Sequence, residues 1–404
     1  MKRLATIIAT FSVPGLLSGC VVGPAPANLA TAAWQPQQQP PRQGQAMIAS
    51  PCTAPPRPRD LATENFAPLA VLGGDLSLLA PGDRLRLRVA GDEDRLSGVY
   101  VVAVDGSIVV PGLGRVAMQG RSDTAAAADL SRALVAAGLV RPLPNIVDLR
   151  LIESTGATVS VGGAVFEPGT VRAGDRPAEN RIGQREGTAS GDANGGRSIM
   201  GALRAAGGVR PDADLRHIYL IRGARWTTVD FSGAIDGHAS IDVPIAPGDQ
   251  VLVASTGCFD PALARATAVT MAGIRVYMSN LSRPANNNAG GAVGKDAGSL
   301  PYGTRMLQAL VSMNCVGGSA MNARRRAVLI SRNPITGQSV VVQREVERLV
   351  RDAGRDVADP YLMPNDALAC YDSRWMNAGD AISFVSGLAN TATPAILLRS
   401  ALKK

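Results

Sequence analysis

A tight turn leads directly into a strand in the stretch Ala80-Pro81-Gly82-Asp83-Arg84-Leu85-Arg86-Leu87-Arg88-Val89. Pro81 presets the backbone for the second position of a type II turn, and Gly82 supplies the positive φ that the third position needs. After the turn, apolar residues alternate with arginines, which is the period of a strand with one buried face. The stretch therefore predicts a half-buried β-strand whose outer face is basic.

The same turn recurs later in the chain, again before apolar runs. Residues 247–249 are Pro-Gly-Asp and residues 364–366 are Pro-Asn-Asp, where asparagine is the next best residue for a positive φ. The turn residues are Pro81, Gly82, Asp83, Pro247, Gly248, Asp249, Pro364, Asn365 and Asp366. The three acids could be a catalytic set. Because each occupies the same place before a strand, we predict instead that they cap turns.

The last two turns each close a repeated order of elements. A short helix, a Gly-Gly pair, a strand, the turn and a final strand follow one another at residues 199–253 and, less faithfully, at residues 306–371. The order predicts two copies of one β-rich fold. Before them, residues 75–153 predict a compact α+β domain with a hairpin around Asp105-Gly106, a helix over about 123–137 and a strand over 146–152.

Composition excludes several classes of protein. The chain has 404 residues and is 46% apolar, which is enough to bury sizeable cores and excludes global disorder. It contains 44 glycines and 27 prolines, a content that argues against an all-helical bundle. Its net charge of +8 favours anionic partners, among which acidic sugars, lipid phosphates and nucleic acid all qualify on charge alone.

The N-terminus predicts export and lipidation. Lys2 and Arg3 precede an apolar stretch that is too short to span a bilayer, and Leu17-Ser18-Gly19-Cys20 follows it. We predict a signal peptide over residues 1–19 and acylation of Cys20, since the last four residues resemble a bacterial lipobox. The alternative is a secreted protein with an incidental cysteine. Val21 is not the aspartate that resembles an inner-membrane retention signal, so the outer membrane is favoured.

Residues 20–74, rich in proline and glutamine, predict an extended tether.

Four cysteines remain after Cys20, an even number in a compartment that permits disulfides. Cys315 and Cys370 fall in one predicted domain, which favours their pairing and leaves Cys52 with Cys258. The alternative is four reduced, buried thiols.

These motifs together resemble the polysaccharide export domain. The resemblance rests on residues 79–87, Val104-Asp105-Gly106, residues 111–116 and Pro144-Asn145-Ile146-Val147. The two following units, 154–256 and 257–373, resemble soluble-ligand-binding β-grasp (SLBB) domains, most clearly at residues 161–169 and 202–208. With the lipobox, this layout is similar to that of Wza-type outer-membrane lipoproteins of capsule and exopolysaccharide secretion. The resemblance implies an α+β, multidomain subunit of a ring oligomer, an octamer, with a large periplasmic portion.

The C-terminal segment, 374–404, predicts a membrane helix. Residues 381–398 carry no formal charge and would span about 27 Å as a helix. Within it, four polar residues share an arc and could line a water-filled lumen in a ring: Ser383, Ser386, Asn390 and Thr393. Membrane-interface positions are expected at Trp375, Arg399, Lys403 and Lys404. Pro394 should kink the helix, and the alternative is an amphipathic helix packed on protein.

No motif supports catalysis, a cofactor or a metal. His217 and His238 lack companion ligands at zinc-site spacing. Residues 112–117 match a dinucleotide fingerprint only formally, because no helix start follows, and residues 290–296 are one residue short of a phosphate-binding loop. An exported lipoprotein also meets no nucleic acid.

The sequence thus predicts a passive outer-membrane conduit for polysaccharide that is not an enzyme. Transport energy is expected from an inner-membrane polymerase or co-polymerase complex. Two rivals remain: a periplasmic glycan-binding scaffold without a pore, which predicts a monomer or small oligomer with a soluble tail, and a polysaccharide-modifying enzyme, which predicts shortened or altered glycan.

Overall fold

The computed structural model describes residues 26–39, 58, 61–72, 78–92, 94–175, 194–280, 298–313, 315–316 and 325–371. The chain forms two compact units. The larger unit comprises Gly44–Gly273 with Pro301–Gly303, and the smaller unit comprises Met1–Gln43, Ile274–Leu300 and Thr304–Lys404. Helices and several sheets occur together, so the mixed α+β class predicted from the sequence is correct.

The strands are β1 (Arg84–Val89), β2 (Gly98–Val101), β3 (Ser107–Val110), β4 (Gly114–Ala117), β5 (Val147–Glu153), β6 (Ala157–Gly163), β7 (Gly169–Ala173), β8 (Ala213–Arg222), β9 (Arg225–Val229), β10 (Gln250–Ser255), β11 (Gly273–Arg275), β12 (Tyr277–Asn280), β13 (Ser299–Pro301), β14 (Arg326–Arg332), β15 (Ser339–Glu345) and β16 (Ala367–Tyr371). The α-helices are α1 (Leu69–Leu72), α2 (Asp123–Ala136), α3 (Ile199–Ala205), α4 (Gly233–Asp236), α5 (Met306–Ser312) and α6 (Val346–Arg351). Short 3-10 helices cover Pro36–Gln38, Thr63–Asn65, Pro261–Leu263 and Arg355–Val357.

The first sheet of the larger unit has the antiparallel order β2-β1-β5. Its inner face carries the leucines of β1, which are buried as the alternation predicts, and packs in one core with α2. Ser122 caps α2 by accepting a hydrogen bond from Ala125 N, and Gly138 follows the helix at φ +68°. Leu130 and Leu134 are one turn apart on α2 and face the core.

The predicted hairpin between β2 and β3 is absent. The turn at Asp105-Gly106 forms, with Gly106 at φ +76°, but β2 pairs with β1 while β3 pairs with β4. Local turn chemistry therefore specifies the bend, while each of the two strands pairs with its other neighbour along the chain, β2 with β1 and β3 with β4.

The second sheet of the larger unit has the order β7-β6-β10-β8-β9. β10 runs parallel to β6 and antiparallel to β8. Helix α3 begins after the Ser198 cap, and Gly207-Gly208, both with positive φ, follow its C-terminal end. A Cβ on Gly208 would lie 2.6 Å from Met271 N, so this position also requires glycine for space.

The sheet of the smaller unit repeats this topology without one edge strand. Its order is β12-β16-β14-β15, with β16 parallel to β12 and antiparallel to β14. β12, β16, β14 and β15 thus correspond to β6, β10, β8 and β9. We call the two sheets with their helices α3 and α5 the first and second repeat. The short pair β11–β13 is separate from both sheets.

In the described part of the chain, no helix is both long enough and apolar enough to span a bilayer. The predicted signal peptide, Cys20, Cys52 and the whole C-terminal segment with its lumen and interface residues lie outside the described residues.

Candidate functional site

The first turn joins the β2-β1-β5 sheet to the first repeat within the larger unit. Gly82 has φ +92°, and fully buried Asp83 accepts hydrogen bonds from Ala80 N at 2.7 Å and from Thr155 N at 2.8 Å. Nη1 of Arg197, which directly precedes α3, lies 3.3 Å from Asp83 Oδ2. Arg197 Nε donates to Ile245 O at 3.1 Å. A buried ion pair therefore ties the two sheets of this unit together.

The second turn has the same geometry and its own arginine. Gly248 has φ +87°, and Asp249 Oδ2 accepts from Ala246 N at 2.7 Å. Arg222, the last residue of β8, forms a bidentate pair with Asp249, with Nε to Oδ1 at 2.9 Å and Nη2 to Oδ2 at 2.7 Å. The remaining Arg222 nitrogen donates to Leu72 O at 2.8 Å. Both charges are thus compensated although the acid is buried.

The third turn has the same backbone conformation, but no arginine in the described part of the chain pairs with its acid. Asn365 has φ +67°, and Asp366 Oδ2 accepts from Met363 N at 2.9 Å. Burial raises the pKa of Asp366 to about 7, and no cation among the described residues pairs with it. The Ser331 hydroxyl lies close enough to lower this pKa slightly, yet it lacks the geometry of a full hydrogen bond to any described residue.

In all three turns the acid accepts a hydrogen bond from the residue three positions before it, which is the capping role predicted from the sequence. The acids lie in separate turns of the two units, and within the described residues no group of His, Cys, Asp and Glu could hold a metal ion. His217 contacts Asp214 at 2.8 Å on the surface. The formal dinucleotide fingerprint at 112–117 leads into strand β4 rather than a helix.

The N-terminal residues 26–39 are not a free tether. Asn28 pairs with the main chain of Val341 on the edge strand β15, where Nδ2 donates to Val341 O and Oδ1 accepts from Val341 N, both at 2.9 Å. Gln35 makes the same kind of pair with Tyr361 at 2.9 and 2.8 Å. The Asn28 amide thus takes the place of a neighbouring strand at the edge of β15. We call residues 26–39 the strap.

The strap also accepts hydrogen bonds from a partly buried arginine of the smaller unit, Arg344. Arg344 Nη2 donates to the carbonyls of Gln37 and Gln39 at 2.7 and 3.0 Å, and its Nε donates to Ala358 O at 2.9 Å. Burial lowers the pKa of Arg344. Proline and glutamine content predicted an extended chain here and gave no signal for this docking, so the prediction of a tether without a fold is wrong for residues 26–39.

Residues 61–72 also pack on a sheet, in the larger unit. Ala67 N donates to Trp226 O at 2.9 Å, Trp226 Nε1 donates to Ala62 O at 2.8 Å, and the rings of Phe66 and Trp226 lie 5.0 Å apart. Trp226 belongs to the edge strand β9. The predicted tether is therefore wrong here as well, because this segment covers the edge of the first repeat.

The structure joins Cys315 to Cys370 in a disulfide, with Cα atoms 6.4 Å apart, which is the pairing that the sequence favours. Cys258 is disulfide-bonded too. Its predicted partner, Cys52, lies outside the described residues.

Comparison with known proteins supports the first domain. The family model of the polysaccharide biosynthesis/export protein matches residues 75–149. No curated protein matches the chain. The match includes β1 to β4 and α2 and ends within β5, so it covers the sheet and helix that share one core. The matched family consists of export proteins rather than enzymes. Its members take part in the export of envelope polysaccharide, which is consistent with a location of this protein in the cell envelope. The chain therefore carries a polysaccharide biosynthesis/export domain at residues 75–149, which supports a role in polysaccharide export.

Proposed function

We propose that the protein is the subunit of an outer-membrane channel through which capsular polysaccharide or exopolysaccharide leaves the cell. The observation that carries the proposal is the export domain at residues 75–149. The shared topology of the two repeats supports their assignment as two SLBB-like β-grasp domains, 154–256 and 257–373. No nucleotide, metal or catalytic motif is required, because a conduit supplies passage while an inner-membrane polymerase or co-polymerase complex drives the polymer.

The strap supports a definite orientation for this subunit. Pro26 is six positions after Cys20, so an acylated Cys20 could lie at most about 20 Å from the point where the strap begins. Asn28 and Gln35 hold the strap on the second repeat. The segment 374–404 follows β16 of the same repeat. We therefore propose that the lipid anchor and the membrane helix both lie near the second repeat, and that this repeat faces the outer membrane.

In the proposed assembly, identical subunits form a closed ring and their C-terminal helices enclose the exit. The lumen is lined by Ser383, Ser386, Asn390 and Thr393, and the interfaces are marked by Trp375, Arg399, Lys403 and Lys404. Many weak hydrogen bonds from such side chains would guide a polymer without stalling it.

The decisive experiment compares cells that contain the full chain with cells that lack it. We expect surface polysaccharide to disappear in cells without the protein and to return when the full chain is supplied. A chain without residues 374–404 should restore neither export nor ring particles in electron micrographs of detergent extracts. Normal export in cells without the protein would overturn the proposal.

The anchor is tested separately. Wild-type protein should incorporate radioactive palmitate and sediment with outer membranes, whereas Cys20→Ser should lose the label. Cys52→Ser provides the matched control, because it also replaces a cysteine near the N-terminus and should keep the label. An unlabelled wild-type protein would exclude the lipid anchor while leaving the export domain in place.

A further inference from the structure

The β2-β1-β5 sheet of the export domain has one face outside the core, and this face is rich in arginine. Its inner face packs with α2, while the alternate positions of β1 point the other way. Four arginines share this outer side: Arg84, Arg86, Arg88 and Arg150. Val99 and Val101 of the edge strand β2 lie beside them with 41% and 56% of their surface exposed. We call this surface the arginine face.

Two of the four arginines have carboxylate partners on the same face. Arg84 Nη1 lies 3.2 Å from Glu153 Oε2, and Arg150 Nε lies 2.9 Å from Asp148 Oδ1. Arg86 and Arg88 make no ion pair or hydrogen bond through their side chains to any residue that the structure describes. The face therefore keeps a positive charge that its own acids do not neutralise.

The strand register places Arg86 where an arginine does not stabilise the fold. Its direct cross-strand neighbours are Arg150 on β5 and Val99 on β2. Like charges that lie opposite each other in a sheet are destabilising, and valine offers no compensating acceptor. A guanidinium next to another guanidinium becomes favourable when a carboxylate binds to both, because the planar donors of arginine match the two oxygens of a carboxylate.

The spacing suits a chain-like ligand. Arg86 and Arg88 are two residues apart on one strand, which places their Cα atoms about 7 Å apart along the face. An extended polymer with repeated carboxylates could contact both in succession, since Arg86 is partly exposed and Arg88 is exposed, and contacts at such sites are weak enough to release.

We propose that the arginine face binds an acidic polysaccharide through the carboxylates of its uronic acid residues. The inference rests on the proposed function, since it names the chemical class of the exported polymer and the surface that meets it. Charge complementarity selects this occupant over a neutral glucan, and the position of the face on the export domain selects a glycan over other polyanions.

The test measures binding of the detergent-extracted full chain to size-fractionated polygalacturonate and to dextran of the same length. We expect saturable binding of polygalacturonate that weakens in high salt, and no comparable binding of dextran. The double variant Arg86→Gln/Arg88→Gln should bind polygalacturonate about tenfold more weakly, because two charge-assisted contacts are lost. Arg141→Gln is the control, since Arg141 is exposed in the loop after α2 and gives the same loss of charge per site.

Equal binding by the double variant, or equal binding of dextran by the wild type, would overturn the inference. Loss of binding to phosphatidylglycerol vesicles in the double variant, with polygalacturonate binding unchanged, would assign the face to lipid and would also overturn it. Retained circular dichroism and an unchanged particle size show that the double variant is folded. Restoration of export by the wild-type chain without any polygalacturonate binding would refute this inference alone, whereas normal export in cells without the protein would refute the proposed function.

Discussion

The two repeats share the same turn but differ in the residue that lies opposite its acid. In the first repeat, Asp249 precedes β10 and faces Arg222 across the sheet, because Gln250 pairs with Ile221. In the second repeat, Asp366 precedes β16, and Ser331 occupies the position of Arg222, because Ala367 pairs with Ile330. The backbone turn needs only the carboxylate as a cap. The charge of Asp249 is also compensated, by Arg222, whereas no described cation compensates the charge of Asp366.

The repeats also differ in how their edge strands are covered. The segment 61–72 covers β9 with a main-chain hydrogen bond and an aromatic contact at Trp226. The strap covers β15 with the side-chain amide of Asn28. Both segments prevent an open strand edge from pairing with other chains. The second repeat adds the disulfide at Cys370, where the first repeat has Val253 at the same distance after the turn acid.

The largest expected effect of a single change falls on the first repeat. Asp249→Asn keeps an acceptor for Ala246 N but leaves the part-buried charge of Arg222 without its carboxylate. Removal of one partner from a buried ion pair destabilises a protein by about 3 to 5 kcal/mol. We expect this loss in urea unfolding at neutral pH, together with faster amide exchange in β10. A loss below about 1 kcal/mol would show that Arg222 does not depend on Asp249.

The same substitution in the second repeat should have the opposite sign. The folded-state pKa of Asp366, about 7, lies above the ordinary value of 3.8, so folding favours the protonated acid. Stability contributed by Asp366 is therefore full at acid pH and is lost as the pH rises from about 4 to about 7. Asp366→Asn removes this loss and should stabilise the second repeat by up to about 4 kcal/mol at pH 8.

Amide exchange in β16, corrected for the intrinsic pH dependence, measures this effect in the full chain. Wild-type protection should fall between pH 5 and pH 8 relative to Asp366→Asn, and β10 serves as the internal reference because Asp249 has its arginine. If both proteins show the same pH dependence, Asp366 is ionised in the folded state from pH 5 to pH 8. The two repeats would then not differ in the protonation of their turn acids.

The features that can be predicted from the sequence are those set by residues close together along the chain. Pro-Gly-Asp and Pro-Asn-Asp specify their turns through the φ preferences of three consecutive residues, and the structure has the positive φ at Gly82, Gly248 and Asn365. The alternation in β1 likewise specifies a buried and a basic face. These signals need no knowledge of what lies across the sheet.

The arginine partners depend on the register of distant strands. Arg197 is 114 residues from Asp83 along the chain, and no pattern near either residue indicates the pair. The hairpin prediction failed for a different reason, because β2 and β3 each pair with the strand on their other side along the chain, β1 and β4. The strap was missed because proline and glutamine content predicts an extended chain, while the composition does not reveal that an amide side chain will bind a strand edge.

The smallest expected effect tests how the edge of the second repeat is held. Asn28→Ala removes two hydrogen bonds to Val341 at an exposed site, and we expect a loss of about 1 kcal/mol in the docking of the strap. Exchange of the Val341 amide should accelerate, while amides of β9 stay unchanged because residues 61–72 cover them independently. Leu29→Ala is the matched control, since its side chain is 67% exposed next to Asn28. Equal protection of Val341 in both variants would mean that Gln35 and Arg344 hold the strap without Asn28, and that the edge of the second repeat is covered as firmly as that of the first.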